Sequence, residues 1–261
     1  MFHIINYLLT TKMKNKLISI NNLSKTFSNN KEITYVLNNI SFDVYDGEII
    51  SIIGTSGCGK STILNIISGL INDYDGEVQY YFEKSDIGYM LQSDALFPWL
   101  NVEENAKLGC KIKNINNLDY IKELLDRFAL KDFKNKYPRE LSGGMKQRVS
   151  LIRTVSTKPK LLLLDEPFAA LDYQSRLAIS KDVYNLIKEN NITAIIITHD
   201  IAEAISLSDR VVVLSKRPST IKKVYDIKLN NKQDPINNRK DDNFNHYYDL
   251  LCKDLDIFEK K

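Results

Sequence analysis

The segment Gly54-Thr55-Ser56-Gly57-Cys58-Gly59-Lys60-Ser61 constrains this chain more than any other. It fits G-x-x-x-x-G-K-[ST], a phosphate-binding loop, and its flanks are the ones that loop requires. The apolar run Glu48-Ile53 leads in as a strand, and a helical stretch, Lys60-Ser68, leads out. Gly54, Gly57 and Gly59 permit backbone conformations in which successive N–H groups point into one concavity. The helix that follows directs its positive end at the same anion. Lys60 supplies a full charge to β- and γ-phosphates, Ser61 offers a hard oxygen to Mg2+, and Thr62 stands beside them at the helix start. The expected ligand is a nucleoside triphosphate, and the fold must place a buried strand directly ahead of a helix.

A second constraint is the run Leu161-Leu162-Leu163-Leu164 ending in Asp165-Glu166. A strand covered on both faces delivers Asp165 to the carboxyl end of its sheet, where α/β proteins bind ligands. Alone, acids at a strand end mean little. Paired with a phosphate-binding loop, they predict that Asp165 holds Mg2+ and that Glu166 faces an attacking water as general base.

Other strand-sized runs are Leu17-Ile20, Ile40-Val44, Val78-Phe82, Ile87-Leu91, Ala194-Ile197 and Val211-Leu214. Helical periodicity marks Asp119-Phe128, Met145-Val155, Asp172-Asn190 and Ile201-Leu207. Strands alternating with helices predict an α/β fold with a mostly parallel sheet. Closely spaced strands and turn signals between Leu17 and Phe82 predict an antiparallel β subdomain, and residues 93–140 read as a helical insertion. No internal repeat is visible.

Composition excludes several classes. With 261 residues and 43% hydrophobic side chains the chain builds a core. Lys plus Arg is 36 and Asp plus Glu is 33, a balance too even for a nucleic-acid binder. Residues 216–261 carry eleven basic and eight acidic side chains, so the net +3 lies entirely there. No apolar run reaches the ~18 residues that cross a bilayer. Met1-Leu9 lacks the features of a signal peptide, and residues 1–16 are expected to be a flexible extension. Cys58, Cys110 and Cys252 are widely spaced and odd in number, which points to a reducing compartment. Asn230-Asn245, rich in Asn, Lys and Asp, reads as a loose linker before a short helix near His246-Asp256, so that residues 230–261 lie outside the main domain of 17–229.

One further segment carries the family resemblance: Leu141-Ser142-Gly143-Gly144-Met145, with Ser142 lying 23 residues before Asp165. By itself Ser-Gly-Gly ahead of a helix is an N-cap. In this company it resembles the signature motif of the ATP-binding subunits of ABC transporters, with Met145 where glutamine is more common. The resemblance implies a P-loop ATPase of the ABC type that binds ATP and Mg2+ and forms a head-to-tail homodimer. In that dimer residues 141–145 of one chain meet the γ-phosphate held by the other. It further implies that Gln92 is the Q-loop glutamine reaching Mg2+ and the attacking water. Asp172, in Ala170-Leu171-Asp172, is then a D-loop residue at the dimer interface, and His199 the switch histidine. Phe27 matches the aromatic position that stacks on adenine, where Tyr is more usual, with a core side chain on the first strand as the rival reading.

Narrower features are Leu96-Phe97-Pro98-Trp99-Leu100 and Ser215-Lys216-Arg217-Pro218 with Ile221. They resemble the nitrate, sulfonate and taurine importer subfamily, with related importers of thiamine precursors, although Ser219 stands where that subfamily has glycine. This implies a peripheral subunit on the inner face of the cell membrane. It would work with two transmembrane permease subunits and an extracytoplasmic solute-binding protein. The alternative is a soluble ABC ATPase without a membrane partner.

Overall fold

The structure is a computed structural model that describes residues 15–28, 32–230 and 232–256. The expected extension, residues 1–16, falls almost wholly outside them. Among the described residues nine strands form two sheets. The first, of three strands, is β2-β1-β4, from Lys16–Ser28 (β1), Ile33–Tyr45 (β2) and Asp75–Tyr80 (β4), all antiparallel. The second has the order β5-β6-β7-β3-β8-β9. Its members are Ile49–Ile53 (β3), Ile87–Met90 (β5), Leu161–Asp165 (β6), Thr193–Ile197 (β7), Arg210–Leu214 (β8) and Ile221–Asp226 (β9). β5, β6, β7, β3 and β8 run parallel, and β9 closes the edge antiparallel to β8. Strands β3, β6 and β7 are buried at every residue, which is why their sequences are apolar throughout rather than alternating.

Helices cover both faces. Lys60–Ile67 (α1) packs into a core with the antiparallel sheet through Ile63, Leu64 and Ile67. On the other face lie Val102–Ile112 (α2), Leu118–Arg127 (α3), Gly143–Val155 (α4) and Tyr173–Glu189 (α5). Residues 93–140 contain α2, α3 and two short 3-10 turns but no strand. Helix α2 has a full capping box: Asn101 Oδ1 accepts from the Glu104 amide at 2.9 Å, and Glu104 Oε2 accepts from the Asn101 amide at 2.8 Å. Among the described residues no helix is long and apolar enough to cross a membrane.

The C-terminal region corrects the sequence expectation. Residues 232–243 are not a loose linker but a packed return segment. Asp234 caps the short helix Pro235–Asn238 (α7), accepting from the Ile236 and Asn237 amides. Asn238, fully buried, donates to the Ser206 carbonyl at 2.7 Å. The final helix runs Phe244–Asp254 (α8) and buries Phe244, Leu251 and Cys252 against Ile201–Leu207 (α6) and β8. Polar side chains that read as a solvated spacer serve as caps and bridges, roles that use the same residue types.

Candidate functional site

Parallel register builds the site at the carboxyl end of the large sheet. Ile53 pairs with Val213 and Asp165 with Ile197, so the loops after β3, β6, β7 and β8 emerge side by side. The loop after β3 turns through Gly57 at φ +74° and Gly59 at φ +109°, and Gly59 caps α1 in the left-handed conformation. Gly59 is also sterically obligatory, since a Cβ there would lie 2.8 Å from both Leu37 and Val36. Lys60, nearly buried, folds back so that Nζ donates to the Gly54 carbonyl at 2.9 Å and to the Thr55 carbonyl at 3.1 Å. Cys58 points inward beneath Gly54, and burial pushes its thiol above the ordinary range.

A cavity of about 430 Å³ opens over this loop. Ser56, Gly57, Gly59, Lys60, Ser61 and Thr62 form its floor, and Gln92 and Glu166 stand at one end. Phe27, Thr34 and Val36 line the other. Phe27 is therefore not a core side chain. Its ring is 43% exposed, and the Lys25 ammonium lies 4.9 Å from the ring centroid, which leaves the remaining aromatic surface to the cavity. Backbone N–H groups, a helix N-terminus and a lysine at one end, with an aromatic ring at the other, suit a nucleotide with its phosphates on the loop.

Asp165 closes the floor from behind. It is 3% exposed, and Oδ1 has no hydrogen-bond partner. Burial pushes its carboxyl above the usual range, opposed by a hydrogen bond from Ser61. An orphaned buried carboxylate oxygen beside a serine hydroxyl is the donor set a hard divalent cation takes, so Ser61 and Asp165 fit Mg2+. That ion, when bound, would neutralise charge on phosphate oxygens. Gln92, the third expected ligand, is placed differently: its Nε2 lies 3.5 Å from Glu166 Oε2, on the exposed side of the cavity.

Glu166 has φ +50°, a conformation non-glycine residues seldom hold without a local reason. The reason is visible. Its amide donates to the Ile197 carbonyl at 2.9 Å, while its own carbonyl accepts from Gln147 Nε2 at 3.3 Å. These contacts turn the side chain into the cavity, where Oε2 lies 3.4 Å from His199 Nδ1. Gln147 also accepts from the Ala170 amide at 3.3 Å, tying α4 to the loop after β6. Behind His199, Thr198 donates to the buried Glu203 at 2.7 Å, and Arg176 lies 3.5 Å from Asp200.

Within one chain the structure does not bring residues 141–145 or Asp172 into the cavity. Ser142 caps α4, its Oγ accepting from the Met145 amide at 3.3 Å. Leu141 is buried, and Met145 packs on the core beneath. Gly144 abuts the Leu171 side chain so closely that a Cβ would come within 2.7 Å of it. Asp172 caps α5, and hydrogen bonds from Ser175 hold its carboxyl below the usual range. Sequence reasoning had not assigned Thr34, Val36, Gln147 or Arg217 to the site. The first two lack any distinctive pattern, and the other two depend on contacts far apart in the chain.

Residues 37–169 match the family model described as ABC transporter. The chain is 41% identical over 253 residues to an uncharacterized ABC transporter ATP-binding protein, YtlC, of Bacillus subtilis, covering 94% of this chain and 97% of that protein. It is 43% identical over 217 residues to the aliphatic sulfonates import ATP-binding protein SsuB of Bacillus cereus, covering 81% and 86%. Among solved structures, the ATP-binding cassette MJ0796, a dimer in a post-hydrolysis state bound to ADP and phosphate, superposes with TM-score 0.73 at 30% identity. That match covers 81% of this chain and 99% of that one.

Proposed function

The chain belongs to the ABC transporter ATP-binding proteins and is an ATPase of that family, and from this premise we propose that it drives uptake of a small sulfonate-class solute through separate permease subunits. In this reading Lys60, Ser61 and the loop amides hold the ATP phosphates, Phe27 meets the adenine, and Ser61 and Asp165 hold Mg2+, with Gln92 beside Glu166. Glu166 takes the proton of the attacking water, with His199 beside it. The signature residues Leu141-Ser142-Gly143-Gly144-Met145 and Asp172 act across a homodimer, on the nucleotide of the other chain. The subunit sits peripherally on the inner face of the membrane, under two permease subunits fed by an extracytoplasmic solute-binding protein. The relative named for sulfonate import supports the solute class.

One observation carries the transport reading. Beside the insertion lies a groove of about 390 Å³, lined by Phe97, Leu108 and Ile112 among others. At its edge Trp99 is 68% exposed and stacks obliquely on Phe97, centroids 5.1 Å apart. The segment carries four large apolar residues, Leu96, Phe97, Trp99 and Leu100, as candidates to face outward. Two do, whereas Leu96 packs against the core and Leu100 is half-buried. The presenting loop is held by the fully buried Asn105, whose Nδ2 donates to the Leu100 carbonyl at 2.9 Å and whose Oδ1 accepts from the Phe97 amide at 3.0 Å. Exposed aromatics on a fixed loop are a docking device, each worth about 1.5–3 kcal/mol when fully buried.

The test is purification of the full chain from its own cells' membranes with identification of integral-membrane partners. Wild type is expected to bring two permease subunits. A Trp99→Ser, Ile112→Ser variant should lose them while keeping its melting temperature and basal ATPase rate. Wild type recovered without any permease would favour the soluble ABC ATPase instead.

A further inference from the structure

We propose that Arg217 is a nucleotide-binding residue that contacts the phosphates together with Lys60. The proposal rests on the nucleotide-site reading above and adds a second cation to it. Arg217 lines the same cavity as Phe27, Gly59 and Lys60, although it lies more than 150 positions further along the chain. It is exposed, and no carboxylate pairs with it among the described residues.

Its position is fixed by the turn that carries it. Ser215 and Thr220 close that turn, the Ser215 amide donating to the Thr220 carbonyl at 2.9 Å and the Thr220 amide to Ser215 Oγ at 2.9 Å. Ser219, fully buried, pins the turn to β2: its amide donates to the Val36 carbonyl at 2.9 Å, and its carbonyl accepts from the Asn38 amide at 2.9 Å. Ser219 Oγ adds a third link to the Val36 carbonyl at 3.2 Å. The serine that departs from the subfamily's glycine thus has a structural role. Gly59 of the phosphate loop rests against Val36, Leu37 and Ser219 from the other side. Turn, strand and loop therefore form one unit, and Arg217 in that turn lines the cavity.

A guanidinium on the wall of an anion-binding cavity pairs with phosphate oxygens in forked geometry, whereas Lys60 acts as a point charge. The ligand class is a nucleoside di- or triphosphate, recognised by its phosphates and not by its base.

The experiment measures binding of ATP, ADP and adenosine to the full chain and to Arg217→Gln and Arg217→Lys, by calorimetry for the nucleotides and saturation-transfer NMR for adenosine. Arg217→Gln is expected to weaken ATP and ADP about tenfold, the scale of one hydrogen bond to a charged group. Adenosine binding and the melting temperature of the nucleotide-free chain should not change, and Arg217→Lys should recover part of the loss. ATP affinity within twofold of wild type in Arg217→Gln would overturn the assignment, as would an equal weakening of adenosine. A wild-type chain that binds no ATP would overturn the nucleotide site itself, an outcome distinct from equal binding by both proteins.

Discussion

Replacing Asp209 by asparagine removes a charge that ties three separate segments to the strand feeding the phosphate loop. Oδ2 accepts from the amide of Ile49, the first residue of β3, at 2.9 Å and from Lys188 of α5 at 3.1 Å. Oδ1 accepts from Lys232, in the C-terminal return segment, at 2.7 Å. Burial alone would raise this carboxyl, but Lys232, Lys188 and the Ile49 amide outweigh it and bring it from 3.8 down to about 2. A shift of nearly two units corresponds to about 2–3 kcal/mol favouring the folded state. The direction of the pH effect follows from the folded value lying below the unfolded one. The native chain then binds fewer protons at this group than the unfolded chain, so its contribution is complete above about pH 4 and disappears as pH falls towards 2. Asp209→Asn should therefore cost about 2–3 kcal/mol at pH 7, lowering Tm by roughly 5–10 °C in a chain of this size. Urea unfolding of both proteins between pH 7 and pH 2.5 measures this, and their midpoints should converge as the medium becomes acidic. A difference that stayed constant across that range, or one under about 0.5 kcal/mol at pH 7, would refute the reasoning.

Two further outcomes concern the reaction. Glu166→Gln keeps the side chain's shape but removes its capacity to take a proton, so ATP turnover should fall about 10²- to 10⁴-fold, or roughly 3–5 kcal/mol, with ATP binding retained. Steady-state hydrolysis and equilibrium binding on one preparation check this, and near wild-type turnover would reject Glu166 as the base. Lys60→Ala and Ser142→Arg should each be inactive alone, yet mixing them should restore activity, because in the proposed homodimer one chain supplies the phosphate loop and the other the signature. Loss of ATP binding by monomeric Ser142→Arg would contradict a site shared between chains.

What could be read in the sequence follows from how tightly each feature binds residue type to geometry. The phosphate loop was legible because positive φ at Gly57 and Gly59 and the crowding at Gly59 admit only glycine. Strands β6 and β7 were legible because burial on both faces demands unbroken apolar runs. Strand β9 was not, since an edge strand reading Ile-Lys-Lys-Val-Tyr-Asp buries only Tyr225. Helix α2 went unassigned although Asn101 and Glu104 announce its start, because its apolar face is thin: Val102, Ala106 and Cys110 are its buried apolar residues. Phe27 kept a core reading as rival to the site reading, since an aromatic residue on a strand carries no sign of which face is covered. Arg217 was visible as part of a motif but not as part of the cavity, because its placement depends on Ser219 pairing with a strand some 180 residues earlier.

Ser142 and Glu166, proposed as signature and base, lie apart in one chain but are joined by a short chain of contacts. Helix α4 begins at Ser142, outside the cavity, and one turn later presents Gln147, which holds both the Glu166 carbonyl and the Ala170 amide. Gln147 is 6% exposed, so neither contact is readily replaced by water. A rigid displacement of α4 must carry the Glu166 segment with it or leave the buried Gln147 amide without its two partners. In the proposed homodimer, a contact of Ser142 with the second chain would be linked to the geometry of its own chain's Glu166 through Gln147, one helical turn further along.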